Sequence, residues 1–363
     1  MGKILFVRDN IGHGGASKML LWVATILSRN NKVDICYTNK LSNDIYTDLH
    51  CFKLVDRDLK MDALSRNTIN ILILTYSLCK LIKKGNYDIV INFGDHSFYP
   101  LFISKIFVRF KLMVSERVDP YFARGFSEKL RRFFYRFSNC MVFQTYKAAE
   151  YFPKYLQERS KVIPNPVIGR IKQKWSYDLT DKSIISVGRI DIIQKRQDLL
   201  LDAFFKFSQL FPEYKLKIVG NGPDEKKLLA LIKEKHLMQN VEYLGFQSNI
   251  PELLVKSQLF VLTSDFEGIP NALIEALQVE MPVISTDCSP GGASLLLGSG
   301  QHGLLIERNN VDVLCNAMIK ILSSRQMLES MANATHGALN KFSEEKIADE
   351  WNDWVKECIV GNK

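Results

Sequence analysis

The stretch SDFEGIPNALIEAL, residues 264–277, decides how the rest of the chain is read. It continues the apolar run LFVLTS (259–264), which reads as a buried strand, and passes through Gly-Ile-Pro into a helical pattern. Pro270 suits the first helical position, where its missing N–H would be orphaned anyway. Ile269 before it has no side-chain oxygen to act as a cap. The amides of Asn271, Ala272 and Leu273 are therefore expected to stand free at the positive end of a helix dipole, which is an anion site. Gly268 allows a ligand close to the backbone. Asp265, Glu267 and Glu275 flank this entrance, and a carboxylate offers acceptors to both hydroxyls of a diol. Glu267 is read as a contact for sugar hydroxyls and Glu275 for a second polyol such as ribose. The plainer alternative is an acidic turn that satisfies its own dipole.

Three glycine turns elsewhere raise the first reading above the second. SVGRIDIIQKRQDLLLDAF (186–204) ends a strand at Gly188 and supplies Arg189 and Lys195 ahead of a helix. An Arg fork and a Lys point charge at a strand's carboxyl end suit a diphosphate leaving group; solvated loop cations are the bland reading. VGNGPDEKKLL (219–229) places Gly220 and Gly222 after the next strand, where they are expected to admit a nucleoside. IGHGGASK (11–18) follows the first strand, and its Gly14 and Gly15 can bring amides to a phosphate. As a dinucleotide fingerprint it fails, because Ser17 takes the third glycine position, which weakens an NAD-enzyme reading.

Short apolar runs alternate with helical patterns along the whole chain, the mark of an α/β protein built on buried parallel sheets. KVIPNPVI (161–168), with two prolines around one asparagine, is the expected linker. The expected division is 1–166 and 167–345, each half with its own sheet, and a helical segment 346–363 that can cross back to the first domain. Trp351, Trp354 and Val355 share one face of that segment.

The 363 residues exceed a usual single core, with 47% hydrophobic and 24% charged residues. No run is long and apolar enough to span a bilayer, and KILFVR at the N-terminus reads as a strand, not a signal peptide. Seven cysteines, scattered and never in CxxC, argue against a disulfide framework or zinc site and for a reducing cytoplasm. Net charge is +9, unevenly spread: residues 1–166 hold 26 Lys/Arg against 14 Asp/Glu, and the remainder 22 against 25. A phosphate-rich partner or an anionic surface is implied for the first half.

EGIPNALIE resembles the E-x7-E signature of glycosyltransferase family 4, retaining enzymes of the GT-B fold with two Rossmann-like domains facing across a cleft. VGRID…QKRQDLLLDAF, VGNGPDEKKL, VEYLGF, PVISTDCSPGGASLLL and HGLLIE are similar to that family in its order. GGASKMLLWVA resembles it more loosely, and MVSERVDP resembles a segment of enzymes that build bacterial surface polysaccharides (capsule or lipopolysaccharide). The resemblance implies that Arg189 and Lys195 bind the donor's diphosphate, Glu267 contacts the donor sugar and Glu275 the ribose. It also implies that Gly14 and Gly15 approach the phosphates from the other domain. Many relatives carry a histidine on the loop occupied here by Ser115, Glu116 and Arg117; His96 lies elsewhere, so Glu116 and Arg117 become the acceptor-side candidates. Arg196 stands where relatives usually have glycine.

The expected activity is a metal-independent hexosyl transfer, with no cofactor, from a nucleotide-diphosphate sugar (UDP favoured over GDP) to a glycan hydroxyl. The acceptor is expected to be lipid-linked at the cytoplasmic membrane face. Base contacts are expected around Phe246–Gln247–Ser248. KIFVRFKLMVSERVDPYFARGFSEKLRRFFYRF (105–137) holds nine Lys/Arg against three Asp/Glu with interleaved phenylalanines, which suits an anionic leaflet. The competing readings are a nucleic-acid-binding protein using that basic half and a nucleotide-sugar epimerase. An epimerase needs an acid pair that the sequence lacks.

Overall fold

The computed structural model describes residues 2–12, 15–42, 47–55, 68–94, 97–122 and 125–361. The chain divides into two compact units, Met1–Asn165 with Glu344–Lys363, and Pro166–Ser343. The break falls one residue before the expected linker boundary. The C-terminal segment joins the first unit from Glu344.

In the first unit, strands β1 (Lys3–Ile11), β2 (Lys32–Leu41), β3 (His50–Lys53) and β4 (Ile89–Asn92) are followed by β5 (Lys111–Ser115), β6 (Cys140–Phe143) and β7 (Ser160–Val162). Between them run helices α1 (Gly15–Ser28), α2 (Thr68–Gly85), α3 (Phe98–Phe107), α4 (Phe126–Phe134), α5 (Tyr146–Glu150) and α6 (Lys154–Gln157). The strands form one parallel sheet in the order β3-β2-β1-β4-β5-β6-β7. Alternation sends Ile4 and Phe6 into the core on one face and Leu5 and Val7 into the core on the other. Both faces are covered, which is why these strands read as continuous apolar runs.

The second unit repeats the scheme with β8 (Asp181–Val187), β9 (Lys215–Val219), β10 (Val241–Gly245), β11 (Ser257–Leu262), β12 (Val283–Thr286) and β13 (Leu304–Ile306). Its helices are α7 (Ile192–Lys195), α8 (Gln197–Ser208), α9 (Glu225–Glu234), α10 (Ile250–Val255), α11 (Asn271–Gln278), α12 (Gly292–Leu296), α13 (Val311–Leu322) and α14 (Arg325–Thr335). The parallel order is β10-β9-β8-β11-β12-β13. Strand order reverses between β8 and β11, and ligands of open α/β sheets bind beyond the carboxyl ends at such a reversal. Of the turns singled out by their residues, those after β8 and after β11 leave this point.

Helix α15 (Glu344–Val360) packs on the first unit. Trp351 is fully buried and stacks on Phe93, with ring centroids 6.1 Å apart. The Trp354 indole donates to the Met141 carbonyl at 3.1 Å, and Lys111 Nζ donates to the Ile359 carbonyl at 2.8 Å. Cys140 of β6 and Cys358 of α15 form a disulfide across 218 residues of chain. This corrects the expectation that no cysteines pair: distance along the chain hid a contact that the returning helix creates. Titrating the unfolded, unreduced protein with a thiol reagent should count five reactive thiols, those of Cys36, Cys51, Cys79, Cys288 and Cys315. A count of seven would refute the cross-link.

Candidate active site

The β8 turn begins with Gly188, whose amide donates to the Val219 carbonyl at 2.9 Å. Asp191 then caps the one-turn helix α7, its carboxylate accepting from the Gln194 amide at 3.1 Å. Lys195 ends that turn. Its ammonium forms an ion pair with the Glu267 carboxylate, which also accepts a bond from the Ser264 hydroxyl at 3.0 Å. Glu267 is only 9% exposed. Both of these bonds go to Oε1, so Oε2 has no partner among the described residues and stays available as an acceptor.

Backbone bonds lock the two turns together. The Asp265 amide donates to the Gln194 carbonyl at 2.8 Å, and the Gln194 side chain donates to the Phe266 carbonyl at 3.1 Å. Thr263 Oγ1 donates to the Lys195 carbonyl at 2.8 Å. From the other side, the Glu267 amide donates to the Ser289 carbonyl at 2.7 Å. The lysine and the glutamate are thus presented by a frame of main-chain bonds and not by loose loops.

Arg196 adopts the left-handed conformation (φ 53°, ψ 44°), which favours glycine. Its guanidinium makes a fork to Asp198 at 3.1 and 3.2 Å and reaches Asp265 at 3.1 Å and the Asn309 side chain. Hydrogen bonds that it donates to Asp198, then to Asp265, raise its pKa above the ordinary arginine value. The sequence placed Asp265 beside the helix entrance without finding its partner. That partner is the arginine at the glycine-like position.

Helix α11 starts at Asn271, one residue later than expected, and Pro270 is its N-cap (φ −74°, ψ 108°) with no side-chain cap bond. The Leu273 amide donates to the Pro270 carbonyl at 3.1 Å, so it is not free as expected. The extended ψ of Pro270 turns its carbonyl into the first intrahelical bond. The amides of Asn271 and Ala272 remain without a partner among the described residues. Ile269 is buried, Gly268 half-buried, and Glu275 lies half-buried one turn into the helix. Arg189 is exposed, and its side chain has no partner among the described residues.

Gly220 and Gly222 are required by the protein's own backbone. A Cβ on Gly220 (φ 133°) would lie 1.9 Å from the Gly188 carbonyl oxygen, and one on Gly222 would lie 2.2 Å from that of Ile190. This close packing of the β8 and β9 turns is a demand of the fold itself, beside the expected role of making room for a nucleoside. Gly292 of α12, which sequence reasoning missed, stands in the same relation to the β11 turn, its Cβ position 1.7 Å from the Gly268 carbonyl oxygen. Phe246, 70% exposed after β10, is an open aromatic face on the same unit.

In the first unit, Gly14 lies outside the described residues, as does His96, and Gly15 is the first residue of α1. Glu116 is buried, with Oε2 accepting from the Tyr135 hydroxyl at 2.8 Å and Oε1 from the Val118 amide at 3.1 Å. Arg117 lies over the Phe93 ring at 5.0 Å and donates to Ser115 and Asn165 at 2.8 and 3.0 Å. Burial, and then the charge of Arg8, lowers its pKa to about 9. Glu116 is therefore built into the interior, and Arg117 is half-buried with its guanidinium held by Ser115 and Asn165. A cavity of about 820 Å³ beside α15, lined in part by Arg159, Trp354 and Cys358, contains none of the predicted residues.

Residues 167–337 match the family described as glycosyl transferases group 1. Over 339 residues the chain is 29% identical to an uncharacterized glycosyltransferase of Methanocaldococcus jannaschii, covering 78% of this chain and 83% of that one. It is 25% identical to an alpha-1,4-N-acetyl-D-galactosaminyltransferase of Campylobacter jejuni, named as acting on a PP-undecaprenol-linked glycan, over 98% of this chain and 99% of that one. The amylovoran biosynthesis glycosyltransferase AmsD of Erwinia amylovora is 24% identical over 97% and 99%. Among solved structures, the lipopolysaccharide outer core galactosyltransferase WaaB matches with TM-score 0.77 and 18% identity, over 98% of this chain and 99% of that one. Anabaena HepE in complex with UDP and glucose matches with TM-score 0.77 and 18% identity, over 98% and 100%. The two parallel-sheet units are thus those of the GT-B fold, and the match to the glycosyl transferases group 1 family lies within the second unit. The chain is a transferase with relatives in bacterial polysaccharide synthesis; neither the nucleic-acid nor the epimerase reading is favoured.

Because Gly292 braces the β11 turn from behind, Gly292→Ala should lower thermodynamic stability by about 1–3 kcal/mol, the usual range for forced overpacking. Urea denaturation measures this, and an unchanged midpoint would contradict the contact.

Proposed function

We propose that the protein transfers a hexosyl group from a nucleotide-diphosphate donor, UDP favoured, to a hydroxyl of a lipid-linked glycan, with retention at the anomeric carbon and without a metal. The observation that carries this reading is the Lys195–Glu267 pair beside the uncapped tip of α11. A diphosphate at this tip would meet the free amides of Asn271 and Ala272, the unused N–H groups of Lys195 and the unpartnered guanidinium of Arg189. Glu267 Oε2 would take a sugar hydroxyl, Glu275 the ribose, and Phe246 the base by stacking.

Catalysis in this reading is mainly electrostatic. Negative charge grows on the departing diphosphate as the bond from the anomeric carbon to its oxygen breaks, and preorganised cations and amides stabilise it. The acceptor oxygen bonds to the same face of that carbon, and its proton passes to a phosphate oxygen of the leaving group. Cations fill the neutralising role that a divalent metal has in other transferases.

Relatives named for lipid-linked glycans support the acceptor class. Among the described residues no helix is long and apolar enough to cross a membrane. Work on such an acceptor calls for peripheral attachment, and we place it at the cytoplasmic face.

With a UDP-sugar and a glycan acceptor, Arg189→Ala and Lys195→Ala should each reduce kcat by about 100- to 1000-fold, the usual loss for one donor to a developing oxyanion. Turnover should persist in excess EDTA and give, by NMR, a product with the donor's anomeric configuration. Unchanged rates in the variants would remove the phosphate assignment. Inactivity in EDTA or an inverted product would refute the metal-free or the same-face mechanism.

A further inference from the structure

The basic segment 105–137 does not present its charge as its composition suggests. Arg131 and Arg132 are buried, the first bonded to Glu128 at 2.7 Å and the second to the Pro120 carbonyl at 3.1 Å. Arg117 is a strut, as described, and Lys105 and Lys111 donate to main-chain carbonyls. Of the described cations in that segment, only Arg109, Lys129 and Arg136 are exposed.

The missing charge stands on α2, a helix outside the segment. Ile69, Leu72, Tyr76, Lys80 and Lys83 recur every third or fourth position and therefore share one face. All five are exposed, Tyr76 at 72%. The lysines have no acidic partner among the described residues. The face is apolar toward its first half and cationic toward its second.

The helix that carries this face packs against α3, which in turn joins the aromatic cluster. The Ser104 hydroxyl of α3 donates to the Thr75 carbonyl of α2 at 3.2 Å, and α3 ends in exposed Ile106 and Phe107. The Phe102 ring of α3 then contacts Phe134 and Phe137 at 4.4 and 5.0 Å, which brings in α4 with exposed Phe126 and Phe133. Arg136 lies over the Phe133 ring at 3.7 Å, an apolar body with a charged tip. Large exposed apolar side chains rimmed by unpaired cations mark an interaction surface. Cations without acidic partners select an anionic occupant, and exposed apolar side chains interleaved with such cations fit an anionic lipid layer.

We propose that the α2–α3–α4 face seats the first unit on an anionic lipid bilayer, with α2 carrying the main cationic contact. This rests on the reading that the acceptor is lipid-borne. The test is flotation of the full chain, with neither donor nor acceptor present, on vesicles of phosphatidylglycerol and phosphatidylcholine in equal parts and of phosphatidylcholine alone. The chain should float with the mixed vesicles only. Lys80→Glu/Lys83→Glu should weaken this by at least about 30-fold, which corresponds to about 1 kcal/mol for each cation lost near such a surface. Leu72→Glu/Tyr76→Glu and Phe126→Glu should also impair flotation, and unchanged melting curves would show that each variant is folded. Undiminished flotation of the α2 variants would overturn the proposal, as would equal binding to both vesicles. So would binding of single-stranded RNA in a mobility shift with no vesicle binding. Turnover on a soluble acceptor by a chain that fails to float would overturn the docking face alone and leave the transferase reading intact.

Discussion

The ion pair between Lys195 and Glu267 is the constraint on which the second unit's site depends. Glu267 is nearly enclosed, and a buried carboxylate without a cation is strongly unfavourable. The lysine cannot reach it unless the β8 turn and the β11 turn are held side by side. The bonds Asp265–Gln194, Gln194–Phe266 and Thr263–Lys195 do this through the main chain. Arg196 adds a charged strap from the β8 turn to Asp265 and Asn309. The pair satisfies the carboxylate at rest, yet the ammonium keeps N–H groups and the carboxylate keeps an oxygen, which the proposed donor's phosphate and sugar hydroxyl would use.

The sheet topology explains why these two turns meet. β8 and β11 are neighbours in space although more than seventy residues apart, because the strand order reverses between them. Glycines let further elements pack closely behind each of the two turns. Gly220 against Gly188 and Gly292 against Gly268 are approaches of backbone to backbone that no side chain tolerates.

Much of this was legible in the residues. Alternating apolar runs and helical patterns gave both sheets, and Pro270 after Ile269 marked the uncapped helix. What stayed hidden depends on side chains that meet only after folding. Asp265 finds Arg196, Cys140 finds Cys358, and Glu116, an acceptor-side candidate by its loop, turns inward to Tyr135. Composition was least reliable for the basic segment, because a Lys/Arg count cannot separate a strut such as Arg131 from a solvated cation such as Arg136. The spacing of Lys80 and Lys83 on α2 was readable, but its weight comes from the α3 contact.

The central claim is that the site grips a diphosphate. Titration calorimetry of the unmodified protein with UDP and with uridine tests it most directly. If cations and bare amides supply the affinity, UDP should bind at least about tenfold more tightly than uridine, a gap that one or two charge-assisted bonds provide. Equal affinity for the two, or no heat with any nucleoside diphosphate, would contradict the account.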